Sequence, residues 1–256
     1  MHVVIYGCGA IGSVLATFLN KASTENKNTI HLVGRKHFMN LIDEKGLIYH
    51  PYASDNEIHT INYQTHISIK EIHEADIVFL TMKAYNLKNS LKMAENWFKE
   101  INPFVVLSMN GLGLKRITKQ FIPRDRIIEF AVSFPSRIEN NHVYNSGGNS
   151  FFSMVDENDK VGSEKKEIIK KVFGNDHEPI RFDPNFKQSQ WKKAIANIAM
   201  NGISAICMLT VGQVLDRKTL RLVLKGLIDE SVEIARKLKV RFDEDVAEWF
   251  FKFAGH

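Results

Sequence analysis

An α/β domain followed by an all-helical one is the architecture this 256-residue chain predicts. Three observations carry that expectation. Short apolar runs such as Val3-Val4-Ile5 and Ile77-Val78-Phe79-Leu80 alternate with amphipathic stretches, as in a parallel sheet buried on both faces. A Gly-x-Gly-x-x-Gly run, Gly7 to Gly12, joins the first of these strands to the first helix. Beyond Asp183-Pro184 only helical periodicity remains, so residues 1–183 are read as one domain and 184–256 as the second.

Composition narrows the field. With 44% hydrophobic and 25% charged residues the chain can bury a sizeable core, which excludes disordered and collagen-like classes. A net charge of +5 suits an anionic ligand, yet Lys and Arg are interleaved with Asp and Glu, so no nucleic-acid surface is expected. Cys8 and Cys207 give no disulfide framework, which fits a reducing cytoplasm. Met1 leads straight into a strand without a basic or long apolar leader, and no apolar run approaches ~18 residues. A soluble cytoplasmic protein without a membrane span is the expectation.

Val3 to Tyr6 reads as the first buried strand, and the helix after it carries Ile11, Val14, Leu15, Phe18 and Leu19 at helical spacing. Thr29 to Val33 then completes a βαβ unit. In a Rossmann-type dinucleotide site the three glycines have separate tasks: Gly7 permits the tight turn, Gly9 lets backbone approach a pyrophosphate, and Gly12 lets helix and strand pack closely. Cys8, Ala10 and Ile11 complete the loop, and the helix start supplies N–H donors. At the end of the second strand stand Gly34-Arg35-Lys36 and no carboxylate. Arg35 there favours a 2′-phosphate and hence NADP(H), because arginine grips phosphate with two parallel hydrogen bonds. The alternative is a solvated helix start.

A short helix over Phe38–Glu44 and strands around Leu47-Ile48-Tyr49 and Ile58–Asn62 come next. His50, His59, His66 and His73 lie among polar residues without metal-ligand spacing and are read as surface. With neither His-x-x-x-His nor Cys-x-x-Cys, no metal site is expected. Ala75 to Thr81 is a further buried strand, which places Lys83 at a carboxyl edge where doubly wound sheets bind ligands. A helix follows over Leu87–Phe98. The strand Phe104–Ser108 puts Asn110 at the same edge, although Asn-Gly also makes an ordinary turn. Strands at Ile127–Val132, His142–Tyr144 and Phe151–Val155, a turn at 145–149, a helix over Glu164–Phe173 and a strand over Pro179–Phe182 close this half.

Helices are predicted over Phe186–Met208, Val211–Leu215 and Leu220–Leu238. The first is read as a buried helix with one polar stripe, because at ~100° per residue Lys193, Asn197, Asn201 and Ser204 fall within roughly 80° of arc. Unpaired buried polar groups carry a penalty of ~1–3 kcal/mol each, so a polar ligand is expected to face them. The alternative is that Lys193 reaches solvent and Asn201-Gly202 ends the helix as a C-cap.

Taken together, Gly7-Cys-Gly-Ala-Ile-Gly12, Arg35, Thr81-Met-Lys83-Ala84, Met109-Asn110-Gly111-Leu-Gly113 and Trp191-Lys-Lys193-Ala-Ile-Ala-Asn197-Ile-Ala-Met-Asn201 resemble the ketopantoate reductase (2-dehydropantoate 2-reductase) family in order and spacing. The resemblance runs from Met1 to about Lys237. It implies an N-terminal NADPH-binding Rossmann domain, a helical second domain, and reduction of 2-dehydropantoate to pantoate in a cleft between them.

By the same resemblance Lys193 is the proton donor, and Asn197 and Asn201 hold the hydroxyl and carboxylate end of the substrate. Lys83 and Asn110 bridge cofactor and substrate, and Ser136 aligns loosely with a cofactor-contacting position. Burial and a neighbouring Lys83 are expected to lower the Lys193 pKa.

Two departures stand out. Gly202 replaces the Pro that usually follows the second Asn, and the family continues beyond this C-terminus with a substrate-binding Ser and a Glu near the cofactor. Trp249, Phe250, Phe251 and Phe253 are then expected to leave an apolar patch, covered by a missing tail or a partner, for which a homodimer is the first candidate. Two other readings stay open: a reductase of another branched 2-oxo acid, and a non-catalytic NADP(H)-binding protein.

Overall fold

Val3, Val4 and Ile5 have no accessible surface, and the strand they form is the middle of a sheet covered on both faces. The computed structural model describes residues 1–26, 28–147, 150–155, 160–174 and 179–254. It divides into two units, Met1–Pro184 and Asn185–His256.

The first unit runs β1 (His2–Tyr6), α1 (Ala10–Asn26), β2 (Thr29–Val33), α2 (Lys36–Lys45), β3 (Leu47–His50), β4 (Ile58–Thr60), β5 (Gln64–His66) and β6 (Ile77–Leu80). It continues with α3 (Leu87–Met93), α4 (Glu95–Ile101), β7 (Phe104–Leu107), α5 (Leu114–Thr118), β8 (Ile127–Ser133), β9 (Ser136–Glu139) and β10 (His142–Asn145). Strand β11 (Phe151–Val155), α6 (Lys160–Phe173) and β12 (Ile180–Asp183) complete it. Eight strands form one sheet in the order β12-β11-β8-β7-β6-β1-β2-β5, and four form a second in the order β4-β3-β10-β9.

Strands β8, β7, β6, β1, β2 and β5 are parallel, while β11 runs antiparallel to β8. Side chains alternate between the faces. Val3, Ile5 and Phe79 join the core that includes Val14, Leu15 and Ile169, whereas Val4, Val78 and Leu80 join Leu87, Leu91 and Trp97. This two-sided burial is why the strands read as unbroken apolar runs.

Several expectations are corrected. The helix expected over Leu87–Phe98 breaks at Ala94 (φ −107°, ψ 12°) and resumes as α4. Strands β5 and β9 were not expected, because Gln64-Thr65-His66 and Ser136-Arg137-Ile138-Glu139 bury little and carry no apolar run. Of the turn expected at 145–149, residues 148 and 149 lie outside the described residues. His50 and His66, read as surface, are partly buried.

The second unit holds α7 (Phe186–Cys207), α8 (Val211–Leu215), α9 (Lys218–Lys237) and α10 (Val246–Ala254). Its core joins Ile195 and Ala199 to Val214, Leu224, Ile228 and Phe250. The aromatic tail is therefore not an uncovered patch: Phe250 is only 2% exposed, Trp249 and Phe251 pack against the core, and Arg221 lies over the Phe251 ring at 4.6 Å. The Phe253 side chain lies outside the described residues. Asp245 starts α10 by accepting from the Glu248 amide at 2.9 Å, a cap that makes these residues helical. Among the described residues, no helix is long and apolar enough to cross a membrane.

Candidate functional site

Parallel register brings the candidate nucleotide-binding residues of the first unit to one edge. Tyr6 is level with Val33 on β2 and with Leu80 on β6, and Leu80 is level with Leu107 on β7. Gly7, Gly34, Thr81 and Ser108 thus leave the sheet side by side. Lys83 and Asn110 each stand three residues beyond the paired strand ends, and both are exposed. This is the carboxyl edge at which the chain order reverses around β1, where open α/β sheets bind ligands.

The glycine loop is fixed from below. The amides of Gly7 and Cys8 both donate to the Val33 carbonyl at 2.9 Å. Gly7 has φ +95°, and a Cβ there would come within 2.6 Å of the Met82 backbone nitrogen, so this position admits only glycine. At Gly12 a Cβ would meet Thr81 Oγ1 at 2.8 Å and Ile5 Cγ2 at 3.0 Å, which is the close helix–strand approach. Gly9 is different: the nearest atom to its Cβ position is the Gly7 carbonyl oxygen at 3.9 Å. Among the described residues nothing crowds a Cβ at that position, which leaves the space above the loop open.

The first hydrogen bond of α1 runs from the Ser13 amide to the Gly9 carbonyl at 2.8 Å. The amides of Ala10, Ile11 and Gly12 consequently have no acceptor inside the helix and suit an anionic group. Cys8 contributes backbone alone, because its thiol is buried, 3.7 Å from Ser13 Oγ, and pushed up to about 12 by desolvation. Arg35 stands at the N-cap position of α2, where its side chain makes no capping hydrogen bond, and both it and Lys36 are exposed. Together the open Gly9 position, the helix start and the exposed Arg35 can hold the phosphates of a dinucleotide.

Ser136 does not join this row. It opens β9 in the second sheet, with Oγ buried and no hydrogen-bond partner among the described residues. Sequence reasoning also passed over Thr81 as a positioning residue, although its hydroxyl donates to the Gly7 carbonyl at 3.1 Å. The signal available was its place, level with Gly7 once β1 and β6 are paired.

In the second unit, α7 carries Lys193, Asn197, Asn201 and Ser204 on one side and Ile195 and Ala199, both fully buried, on the other. The helix continues through Asn201-Gly202 to Cys207, so that pair is not a C-cap; Met208, at φ +53°, is. The description of α7 as buried needs correction, since Asn201 is exposed and Ile198, Ile206 and Met208 are 51%, 81% and 90% exposed. Only one side of the helix meets the core.

Lys192 and Lys193 divide their work. The Lys192 ammonium pairs with the Glu244 carboxylate and lies 5.1 Å from the Trp249 ring centroid. Lys193 is partly buried, and desolvation pushes its ammonium down to about 8. Asn201 Nδ2 donates to Asn197 Oδ1 at 3.4 Å, so each amide keeps its other polar atom for a ligand. Ser204 Oγ is buried without a hydrogen-bond partner among the described residues. An ammonium that gives up its proton near neutrality, two linked amides and a hydroxyl can hold a polar acid and donate a proton to it.

The sequence matches the family model described as ketopantoate reductase PanE/ApbA over residues 3–154, and that of its C-terminal domain over residues 185–255. A 2-dehydropantoate 2-reductase of Streptococcus pyogenes serotype M6 is 25% identical over 248 residues, which cover 96% of this chain and 77% of that protein. A ketopantoate reductase structure from Ralstonia eutropha superposes with a TM-score of 0.82 at 20% identity, covering 100% of this chain and 80% of that one. A ternary structure of D-mandelate dehydrogenase with NADH and anilino(oxo)acetate gives a TM-score of 0.82 at 18% identity, covering 99% and 78%.

Proposed function

This chain belongs to the ketopantoate reductase family, and on that premise we propose that it is an NADPH-dependent oxidoreductase that reduces 2-dehydropantoate to pantoate. The observation that carries the reading is the α7 stripe, with the partly buried Lys193, pushed down to about 8, beside Asn197 and Asn201.

The first unit would hold the nucleotide through Gly7 to Gly12, Arg35, Lys83 and Asn110. When bound, NADPH supplies the hydride. Reduction of a ketone leaves negative charge on its oxygen, and the Lys193 ammonium stabilises that charge and then delivers the proton. A pKa near the working pH suits both tasks. Asn197 and Asn201 orient the hydroxyl and carboxylate end, and Ser204 offers a further hydroxyl.

The test is NADPH consumption by the 256-residue chain on adding 2-dehydropantoate, with Lys193→Ala run in parallel. Turnover that disappears in the variant is the expected result. Equal rates in both proteins would overturn the role of Lys193, and NADPH binding without turnover on any 2-oxo acid would favour a binding protein.

A further inference from the structure

The second sheet carries a cluster that this reaction does not use. Parallel pairing of β3 with β10 sets His50 level with Tyr144, and alternation places His142, Tyr144 and His50 on one face. Antiparallel pairing of β3 with β4 sets Tyr49 level with Ile58, so Glu57 falls opposite His50. Nε2 of His50 is 2.8 Å from Nδ1 of His142, and the Glu57 carboxylate lies 3.7 Å from the other ring nitrogen of His50, Nδ1, so the exposed Glu57 side chain has to swing to reach an ion held between the two facing nitrogens. One ligand atom from each of these three residues lies within 4.8 Å of the others.

The rings are also held in place. Tyr144 stacks on His50 at 4.3 Å with 10° between the planes, and His142 stacks on His50 at 5.1 Å. On the same face, Arg137 lies over Tyr144 and is ion-paired with Glu139, so its charge is compensated. Both histidines are partly buried, while Glu57 is exposed enough to admit an ion from solvent.

We propose that His50, His142 and Glu57 form a binding site for a divalent transition-metal ion of the zinc class. Two imidazole nitrogens and one carboxylate oxygen, with a fourth position left to water, are a donor set that zinc accepts and that calcium and magnesium do not favour. Zn–N bonds of about 2.05 Å at a tetrahedral angle need the two nitrogens about 3.3 Å apart, so the rings separate by roughly 0.5 Å, and whichever ring carries the proton between them shifts it to its other nitrogen. The ion ties β3, β10 and the approach to β4 together, a clamp on a four-stranded sheet whose β4 has only three residues. The site lies in the second sheet, not on the carboxyl edge that carries Gly7, Lys83 and Asn110.

The experiment titrates the metal-free full chain with Co2+, follows visible d–d absorption, and back-titrates with Zn2+. One equivalent is bound, and Zn2+ at about a hundredfold above its Kd raises Tm by roughly 5 °C. His50→Ala and His142→Ala weaken binding by roughly 100-fold or more, and the exposed Glu57→Gln by about 10-fold. Circular dichroism and Tm without metal establish that each variant folds, and Glu57→Gln decides the matter should either alanine variant not. No binding at micromolar Co2+, or binding that these variants leave unchanged, overturns the proposal; the second result would assign the metal to other histidines.

Discussion

Thr81 Oγ1 donates a hydrogen bond to the carbonyl oxygen of Gly7 at 3.1 Å. The same hydroxyl oxygen would stand 2.8 Å from a Cβ on Gly12, so one side chain braces the loop at both its ends. Thr81→Val keeps the shape and removes the hydrogen bond. It is expected to raise the Kd for NADPH by about 3- to 10-fold, the scale of one net hydrogen bond, with an unchanged circular dichroism spectrum. Fluorescence titration measures this.

Gly9→Ala and Gly12→Ala separate a glycine proposed to face the nucleotide from a packing glycine. A Cβ at Gly12 collides with Thr81 and Ile5, so Gly12→Ala destabilises the fold by about 1–3 kcal/mol. At Gly9 a Cβ meets nothing closer than 3.9 Å. Gly9→Ala should therefore leave Tm undiminished while weakening nucleotide binding by roughly tenfold or more, because the methyl group would fill the space proposed for the pyrophosphate. Thermal melts beside nucleotide titrations distinguish the two.

Arg35→Ser tests the source of cofactor preference. Loss of a charge-assisted contact to a 2′-phosphate corresponds to about 1.5–3 kcal/mol, so the Kd for NADPH should rise roughly 10- to 150-fold. Affinity for NADH, which lacks that phosphate, should change less than about twofold by the same reasoning. Equal losses for both nucleotides would point to a disturbed α2 start.

Lys193 should impose a pH limit on reduction. The proposed reaction uses its charged form, which burial pushes down to about 8, so kcat/KM is expected to hold below that pH and fall as pH rises through it. Lys193→Ala should lower the rate by roughly 10²- to 10⁴-fold and abolish this inflection.

The same lysine should weaken the fold near neutrality. Its folded pKa lies below the ordinary 10.5, so the unfolded chain holds the proton more tightly, and stability rises as pH goes from about 8 towards 10.5. Lys193→Met is expected to raise Tm at neutral pH, with the difference shrinking across that window. A Tm difference independent of pH would contradict the desolvated ammonium.

Much of this was legible in the chain. The glycine run between Tyr6 and Ser13 sets its own turn and helix start, and the paired spacing of Lys193, Asn197 and Asn201 sets a stripe on α7, because both depend on residues only a few positions apart. Asp245 could also have been read as the cap of α10. The exposure of Ile198 and Ile206 could not, since helical spacing tells which residues share a face but not whether that face is covered.

What the sequence determined by itself was the succession of the apolar strands and long amphipathic helices, with β5, β9, α10 and the break at Ala94 excepted, and the chemistry of each local motif, because backbone periodicity and turn preference act over a single turn or strand. The tertiary structure alone decided that Thr81 braces Gly7 across 74 residues, and that His50 meets His142 across 92. Those pairings follow from strand register, and register is settled by burying whole faces of two sheets at once, a condition that no short stretch of the chain contains.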